Sequence, residues 1–147
     1  MTFNRSAIKW GSVIVGVVIA FVIAYGSSVG VVTGYASYLS MQAKGAPDMA
    51  LINSFAARTA PTVTSIFMGL GVLVGSLRAG RKAKAAPFQN GLTVGLVTAL
   101  VELALNLSGG VSMWTLVSVM LALGGGWLGG KLSARGAHEY DLQNASL

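Results

Sequence analysis

The chain has 147 residues, of which 54% are hydrophobic and only 10% are charged. Soluble domains carry roughly 25% charged residues, so this composition excludes a disordered chain and argues against a soluble enzyme. It is typical of an integral membrane protein. The 20 glycines indicate that its helices pack closely together.

The ionisable residues exclude several further kinds of site and partner. A net charge of +6 would point to nucleic acid in a soluble protein, but in a membrane protein Lys and Arg mainly set the orientation. The chain has no cysteine and a single histidine, which excludes disulfides, thiolate metal sites and multi-histidine sites within it. We therefore expect no nucleic-acid partner, no metal and no cofactor.

Long intervals with few charged residues predict four membrane-spanning helices, at about residues 10–39, 57–77, 89–107 and 112–132. A hydrocarbon core about 30 Å thick needs about 20 helical residues, so the first helix is long enough to tilt or to project beyond the lipid. These runs lack the alternation that a membrane β-barrel requires. The predicted fold class is all-α: an integral membrane four-helix bundle over residues 1–136, followed by a polar cytoplasmic tail over 137–147.

Residues near the span ends predict where the helices begin. Asp48 or Asn53 is a candidate N-cap for the second helix. Pro61 is expected in the first turns of that helix, where its missing N–H does least harm. Ser112 is a candidate N-cap for the fourth helix.

The distribution of Lys and Arg predicts that both termini are cytoplasmic, because basic residues accumulate on that side. Four spans place the N-terminus, the second loop and the C-terminal end together, and only Lys44 and Arg58 fall on the other side. The loop cluster primarily sets orientation, and its additional candidate role is to dock an acidic partner or an anionic lipid. The basic residues on the predicted cytoplasmic side are Arg5 and Lys9, the loop cluster Arg78, Arg81, Lys82 and Lys84, and Lys131 and Arg135.

The second and fourth helices end in related segments, which raises the hypothesis of an internal repeat. Segment 71–75 (Gly-Val-Leu-Val-Gly) is followed by Arg81, and segment 125–129 (Gly-Gly-Trp-Leu-Gly) is followed at the same spacing by Arg135. The two copies would be parallel helical hairpins related by an axis along the membrane normal. The alternative is that glycine-rich apolar segments resemble one another by composition alone.

Glycines four residues apart form rows along single helix faces. A face without side chains lets a neighbouring backbone approach, and dispersion contacts then hold helices together within lipid. We interpret the rows as packing faces within the chain or with a partner, and the alternative is the glycine use common to membrane helices. The predicted packing glycines are Gly26, Gly30 and Gly34; Gly71 and Gly75; Gly91 and Gly95; and Gly125, Gly126, Gly129 and Gly130.

Glu102 is the single carboxylate within a predicted span, where a charge costs several kcal/mol. Arg58, near the outer end of the second helix, is its predicted partner, although it would have to reach inward by roughly 10 Å. Three interpretations are open: a structural link between helices, a proton or ion site, or contact with a partner subunit. The predicted polar cluster contains Glu102, Arg58, Asn106, Ser27, Ser28, Thr62 and Ser65.

Segment 75–83 (Gly-Ser-Leu-Arg-Ala-Gly-Arg-Lys-Ala), followed by 91–95 (Gly-Leu-Thr-Val-Gly), resembles small bacterial four-helix membrane proteins of uncharacterised function. The resemblance covers about residues 60–135, and Asn90 stands where such proteins often have histidine. It implies a four-helix fold in a bacterial inner membrane, and it implies no activity.

The sequence contains no phosphate-binding loop, nucleophile elbow or metal-ligand spacing, so we expect no enzyme. We predict a non-catalytic accessory or structural subunit that packs through glycine-rich faces against other membrane proteins or a second copy, within the lipid bilayer. The alternative is a small proton- or ion-coupled transporter or channel that uses Glu102.

Overall fold

The computed structural model describes residues 7–43, 46–107 and 110–145, with side chains described up to residue 136. Its helices are α1 (Trp10–Ala43), α2 (Met49–Lys82), α3 (Pro87–Asn106) and α4 (Met113–Ala145). Each is long and apolar enough to cross a membrane, α4 over Met113–Gly136. The prediction of an all-α chain with four such helices is therefore confirmed for the described residues, and it indicates a multi-pass membrane protein. Arg5 and Lys44 lie outside the described residues.

α2 begins eight residues earlier than the sequence predicts, at Met49 rather than residue 57. Asp48 is its N-cap, and the Asp48 carboxylate accepts the N–H of Ala50 at 2.8 Å. Pro61 consequently lies well inside the helix and not in its first turns. The interval without charged residues predicted the apolar part of α2. A helix can continue through polar residues as long as its backbone N–H and C=O groups have hydrogen-bond partners.

α4 also differs from the predicted span. Ser112 precedes it and accepts the N–H of Thr115 at 3.1 Å, as an N-cap does. The helix then continues to Ala145, so the backbone of residues 137–145, predicted as a polar tail, is helical. Residues 146 and 147 lie outside the described part of the chain.

α2 occupies the centre of the packing and contacts α1, α3 and α4. α3 also contacts α1 and α4, whereas α1 and α4 do not contact each other along their described residues. The side chains between the helices are small or medium-sized, and the core residues are Val13, Ala20, Ala24, Met68, Val72, Ala79, Val94, Ala99 and Ala122.

α1 and α2 extend well beyond the other two helices. Pro61, Asn106 and Trp114 line one cleft, so α3 ends and α4 begins near the level of Pro61. α2 starts 12 residues before Pro61, at Met49, which corresponds to about 18 Å of helix. The Tyr35 ring stacks on Phe55, with ring centroids 4.0 Å apart, and joins the two helices there. We call residues 30–43 and 49–60 the α1–α2 extension.

Glycines mark the closest approaches between α1 and α2. A Cβ at Gly71 would lie 2.7 Å from the carbonyl oxygen of Ala20, and a Cβ at Gly75 would overlap the carbonyl oxygen of Gly16. Backbone thus lies directly against backbone at this crossing, and any side chain would force the helices apart.

The contacts of α4 follow the same pattern. A Cβ at Gly125 would lie 2.7 Å from the Gly69 carbonyl oxygen on α2. On the α3 side, a Cβ at Gly126 would lie 2.7 Å from Gly95 Cα, and one at Gly130 would lie 2.7 Å from the Phe88 carbonyl oxygen. Gly91 and Gly129 are equally close to their neighbours, so α4 uses two adjacent faces without side chains for two different helices.

Three of the predicted packing glycines take no part in these contacts. Gly26, Gly30 and Gly34 are exposed on α1, and a Cβ at any of them would meet nothing within 4 Å in the described chain. The described helices therefore leave this row uncovered. The reason is that α2 and α3 pack on the other side of α1, where Ala20, Ala24 and Ser28 are buried.

Candidate functional site: the Glu102 cleft

A cleft of about 340 Å³ lies where α3 ends and α4 begins, at the base of the α1–α2 extension. All four helices contribute to it, because α1 and α2 continue past the ends of the two shorter neighbours. Its lining consists of Tyr25 from α1; Ala56, Ala57, Ala60, Pro61, Thr64 and Ser65 from α2; Glu102 and Asn106 from α3; and Ser112, Trp114 and Thr115 at the start of α4. We call it the Glu102 cleft.

Glu102 is the one acidic residue that lines this cleft. Its side chain is 5% exposed, and its Oε2 oxygen is buried without a hydrogen-bond partner in the described chain. Ser118 on α4 lies near the carboxyl group, yet the buried Ser118 Oγ has no hydrogen-bond partner there either. A buried polar atom without a partner costs free energy, so the arrangement is one that a ligand atom or a proton would stabilise.

The other polar side chains of the cleft are largely committed to helix carbonyl groups or caps. Ser65 Oγ lies 2.8 Å from the Pro61 carbonyl oxygen and 3.2 Å from that of Trp114. Asn106 Nδ2 donates to the Glu102 carbonyl oxygen at 2.8 Å. Ser112 Oγ and Thr115 Oγ1 are 3.0 Å apart in the α4 cap. These bonds fix the walls and leave the carboxylate as the unsatisfied group.

The structure brings together only part of the predicted polar cluster. Glu102, Asn106 and Ser65 line the cleft, whereas Ser27, Ser28 and Thr62 do not. Ser28 is buried elsewhere on α1, and Ser27 and Thr62 are half-buried.

Arg58 is not the partner of Glu102 in this structure. It is exposed, and it does not line the cleft. Ala57 and Ala60, close to it along α2, line the cleft, so Arg58 lies near the level of the cleft but on another face of α2. Its side chain is exposed and therefore bears no burial cost.

Sequence reasoning missed Tyr25, Thr115 and Ser118 as neighbours of Glu102. One available signal was the spacing of Ser112, Thr115 and Ser118, which recur every three residues and so lie near one face of α4. Trp114 also lines the cleft, and a Trp at this position is equally typical of a membrane-interface anchor.

An apolar layer closes the cleft on its inner side. Met68, Val72 and Val94 are fully buried below Glu102, together with Ala99 and Ala122. Thr98 lies one turn below Glu102, and its buried Oγ1 has no hydrogen-bond partner among the described residues. The cleft is therefore open at the α3 C-terminal end, and close packing separates it from the opposite end of the molecule.

Basic residues surround that opposite end. Lys9 Nζ donates to the Lys82 carbonyl oxygen at 3.2 Å, and Lys9, Arg78 and Lys82 line a shallow cavity of about 270 Å³ with Ser12. Lys131 lies 4.7 Å above the Trp127 ring. Arg81, Lys84 and Arg135 are exposed.

Asn90 anchors α1 to α3 at the same end and is fully buried. Its Oδ1 accepts the backbone N–H of Lys9 at 2.8 Å. Its Nδ2 donates to the carbonyl oxygens of Ala7 at 3.1 Å and Ala86 at 2.9 Å. One side chain thereby satisfies backbone groups just before the starts of α1 and α3, a role that its sequence position alone does not reveal.

No group of three or more His, Cys, Asp or Glu residues within the described part of the chain is placed to hold a metal ion. No protein-family model matches the chain, and neither a curated protein nor a solved structure matches it. The resemblance to small bacterial four-helix membrane proteins thus stays an expectation from the sequence.

Proposed function

We propose that the protein is a non-catalytic accessory subunit of a bacterial inner membrane. In this proposal a four-helix bundle, with both termini in the cytoplasm, packs against another membrane protein or a second copy through the outer part of α1. The observation that carries it is the uncovered row of Gly26, Gly30 and Gly34. We call this row, with the exposed Val22 and Val29 that flank it, the α1 glycine face.

The glycines elsewhere give the reason to expect a partner. Eight of the eleven predicted packing glycines lie where a Cβ would come within 3.0 Å of a neighbouring helix, and the other three form the α1 glycine face. Glycine within a helix is about 1 kcal/mol less favourable than alanine, and contact with lipid does not offset this loss. Close packing against another helix would offset it, as it does at Gly75 and Gly126.

The α1–α2 extension supports the same proposal. α1 has 34 residues and is about 51 Å long, whereas a hydrocarbon core is about 30 Å thick. Large apolar side chains on the extension are nevertheless exposed, among them Tyr38 at 55%, Met41 at 82% and Met49 at 62%. Exposed apolar surface outside the lipid is typical of a protein contact.

The proposed orientation in the membrane is based on the basic residues at one end of the molecule. Lys9, Arg78 and Lys82 converge on one cavity, and a cytoplasmic position follows from the bias of basic residues toward that side. Reporter fusions test it: fusions after residue 84 and at the C-terminus should report the same side, and a fusion near Lys44 the other. Opposite results for residue 84 and the C-terminus would overturn the four-span topology.

The glycine contacts do not follow the proposed hairpin repeat. Gly71 and Gly75 meet α1, whereas Gly125 and Gly129, their counterparts in the repeat, meet α2 and not α3. A two-fold axis would also pair the α2–α3 contact with one between α1 and α4, and those two helices do not touch along the described chain. Any repeat is therefore approximate.

The subunit proposal is tested in native membranes by single-cysteine crosslinking, which the cysteine-free sequence permits. A photoreactive crosslinker on Gly30→Cys should capture a partner, while the same label on Gly124→Cys should not. Gly124 is the matched control, because it is also an exposed helical glycine with open space around it. Disulfide formation at position 30 identifies a second copy. A gently solubilised particle with the mass of one chain, and no adduct at position 30, would overturn the proposal.

A second candidate function is a small proton- or ion-coupled transporter or channel. The observation that favours it is that Glu102, whose buried Oε2 oxygen has no hydrogen-bond partner in the described chain, lines an open cleft. Transport would require the apolar layer at Met68, Val72 and Val94 to open. Proton-coupled uptake into vesicles that persists in Glu102→Gln at the wild-type rate would count against it.

A further inference from the structure

The Glu102 cleft combines one carboxylate with two aromatic rings, and the residues described in its lining include no basic one. From this combination we infer that the cleft binds a small organic cation, of the alkylammonium class, from the side of the membrane where α3 ends. The inference rests on the cleft that the second candidate function uses, but it concerns binding and requires no transport. It is independent of the α1 glycine face.

The described lining of the cleft carries no positive charge. Among its 12 described residues, Glu102 is the one ionisable carboxylate, and none is Lys, Arg or His. Arg58, the nearest candidate counter-charge in the sequence, lies outside the cleft and is exposed. A 5% exposed carboxyl group without a cationic neighbour must be protonated or be joined by a cation that enters the cleft.

The two aromatic rings of the cleft belong to different helices. Tyr25 belongs to α1 and Trp114 to α4, and these helices do not contact each other along the described chain. The rings therefore stand on separate walls of the cleft. Tyr25 and Glu102 line the same cleft. Aromatic faces attract alkylammonium groups, and Trp and Tyr are the strongest of them.

The composition of the lining favours an organic cation over a divalent inorganic one. Divalent hard cations need about six or more oxygen ligands, and the described lining offers one carboxylate among alanine and aromatic side chains. The volume of about 340 Å³ lies within the range of about 300–1,000 Å³ typical of small-molecule sites. Ala56, Ala57 and Ala60 supply apolar surface for alkyl groups.

The test uses two probes of nearly equal shape. Choline carries a quaternary ammonium, and its neutral analogue has carbon in place of the nitrogen. Trp10→Phe with Trp127→Phe leaves Trp114 as the one tryptophan, so its fluorescence reports on the cleft of the purified full chain. We expect saturable quenching by choline, with binding about tenfold or more weaker for the neutral analogue.

Variants then assign the effect to Glu102. Glu102→Gln should abolish the preference for choline over its analogue, and Glu102→Asp, which keeps the charge, should retain part of it. Tyr25→Leu should weaken choline binding, while Tyr25→Phe, which keeps the ring, should not. Circular dichroism and thermal unfolding show whether each variant is folded.

Three outcomes would overturn the inference: equal binding of the two probes, unchanged choline preference in folded Glu102→Gln, or displacement of choline by millimolar Na⁺ or K⁺ at concentrations that leave the neutral analogue unaffected. The last would assign the cleft to an inorganic ion. None of them bears on crosslinking at position 30, so failure here is distinguishable from failure of the accessory-subunit proposal. Uptake assays separately test transport.

Discussion

α1 carries glycine in two regions that differ in their contacts with the neighbouring helices. In its inner half, a Cβ at Gly16 would lie 2.9 Å from the Gly75 carbonyl oxygen and 2.9 Å from Val94 Cγ2. In its outer half, Gly26, Gly30 and Gly34 recur every four residues, yet a Cβ there would meet nothing within 4 Å of the described chain. The same residue type on one helix is covered by neighbours at one end and uncovered at the other.

The comparison shows that a spacing of four defines a face but not its occupant. Gly16 belongs to no predicted packing row, and it forms one of the closest contacts of the molecule. The row at 26, 30 and 34 has the ideal spacing, and a Cβ there would meet no atom of the described chain within 4 Å. The register of α1 against α2 sets the contact of Gly16, whereas the spacing of the row does not specify what covers it.

The largest expected effect comes from filling an inner contact. Gly75→Leu places a side chain where the Gly16 backbone lies, so we expect a loss of about 3 kcal/mol or more in the free energy of unfolding. Gly30→Leu adds the same side chain at an open position and should leave the isolated chain folded. Unfolding in mixed detergent micelles measures both. Equal losses would refute the difference between the two regions.

Removing the buried anchor of α1 should rank next. Asn90→Ala removes three hydrogen bonds and leaves the Lys9 N–H and the Ala7 carbonyl group without their partner, at an expected cost of about 2 kcal/mol. Asn53→Ala is the matched control, because Asn53 is exposed on α2. The same unfolding titration compares them, and an Asn90→Ala variant as stable as Asn53→Ala would show that the anchor contributes nothing.

Two adjacent glycines of α4 give the sharpest version of the comparison. Gly125→Ala places a methyl group 2.7 Å from the Gly69 carbonyl oxygen and should destabilise by about 1–2 kcal/mol. Gly124→Ala enters open space and should stabilise by up to about 1 kcal/mol, since alanine favours the helix. Thermal unfolding in detergent determines the sign of each change. A shared sign would mean that helix propensity outweighs contact here.

The smallest expected effect is that of Arg58. Because its side chain is exposed on the α1–α2 extension, Arg58→Ala should change stability by no more than about 0.5 kcal/mol and leave choline binding intact. A large loss in either measurement would mean that Arg58 reaches Glu102 after all. The double variant with Glu102→Gln would then reveal the coupling between them.

The four helices could be predicted from the sequence. Four apolar intervals predicted four helices able to cross a membrane, because span length and hydropathy are properties of consecutive residues. The helix ends were harder to predict from the sequence. α2 starts at Met49 and carries Pro61 in its interior, because the Asp48 cap and the backbone hydrogen bonds allow the helix to include the charged residue at position 58. Asp48 and Ser112 were nevertheless identifiable as caps from residue type and position.

The candidate site depended on more than the sequence. Glu102 was conspicuous because a carboxylate within a span is costly, and Asn106 and Ser65 lie on the faces that meet it. Pairing with Arg58 was a reasonable expectation from charge alone, but Arg58 lies on a face of α2 that does not line the cleft. Tyr25 and Trp114 join the cleft because two helices end at the level where two others continue, which depends on relative register.

Composition and the order of residues were enough to predict a membrane protein, its four helices, the three segments rich in basic residues and the helix faces without side chains. These are local properties, fixed by composition and by the 3.6-residue period of the helix. The packing of the helices is needed to know which glycines touch a neighbour, which buried polar atoms lack a partner in the described chain, and that Glu102 lines an open cleft and does not pair with Arg58. Those outcomes depend on the axial register between neighbouring helices. A shift of one turn, about 5.4 Å, would change the neighbours of every residue at the contact.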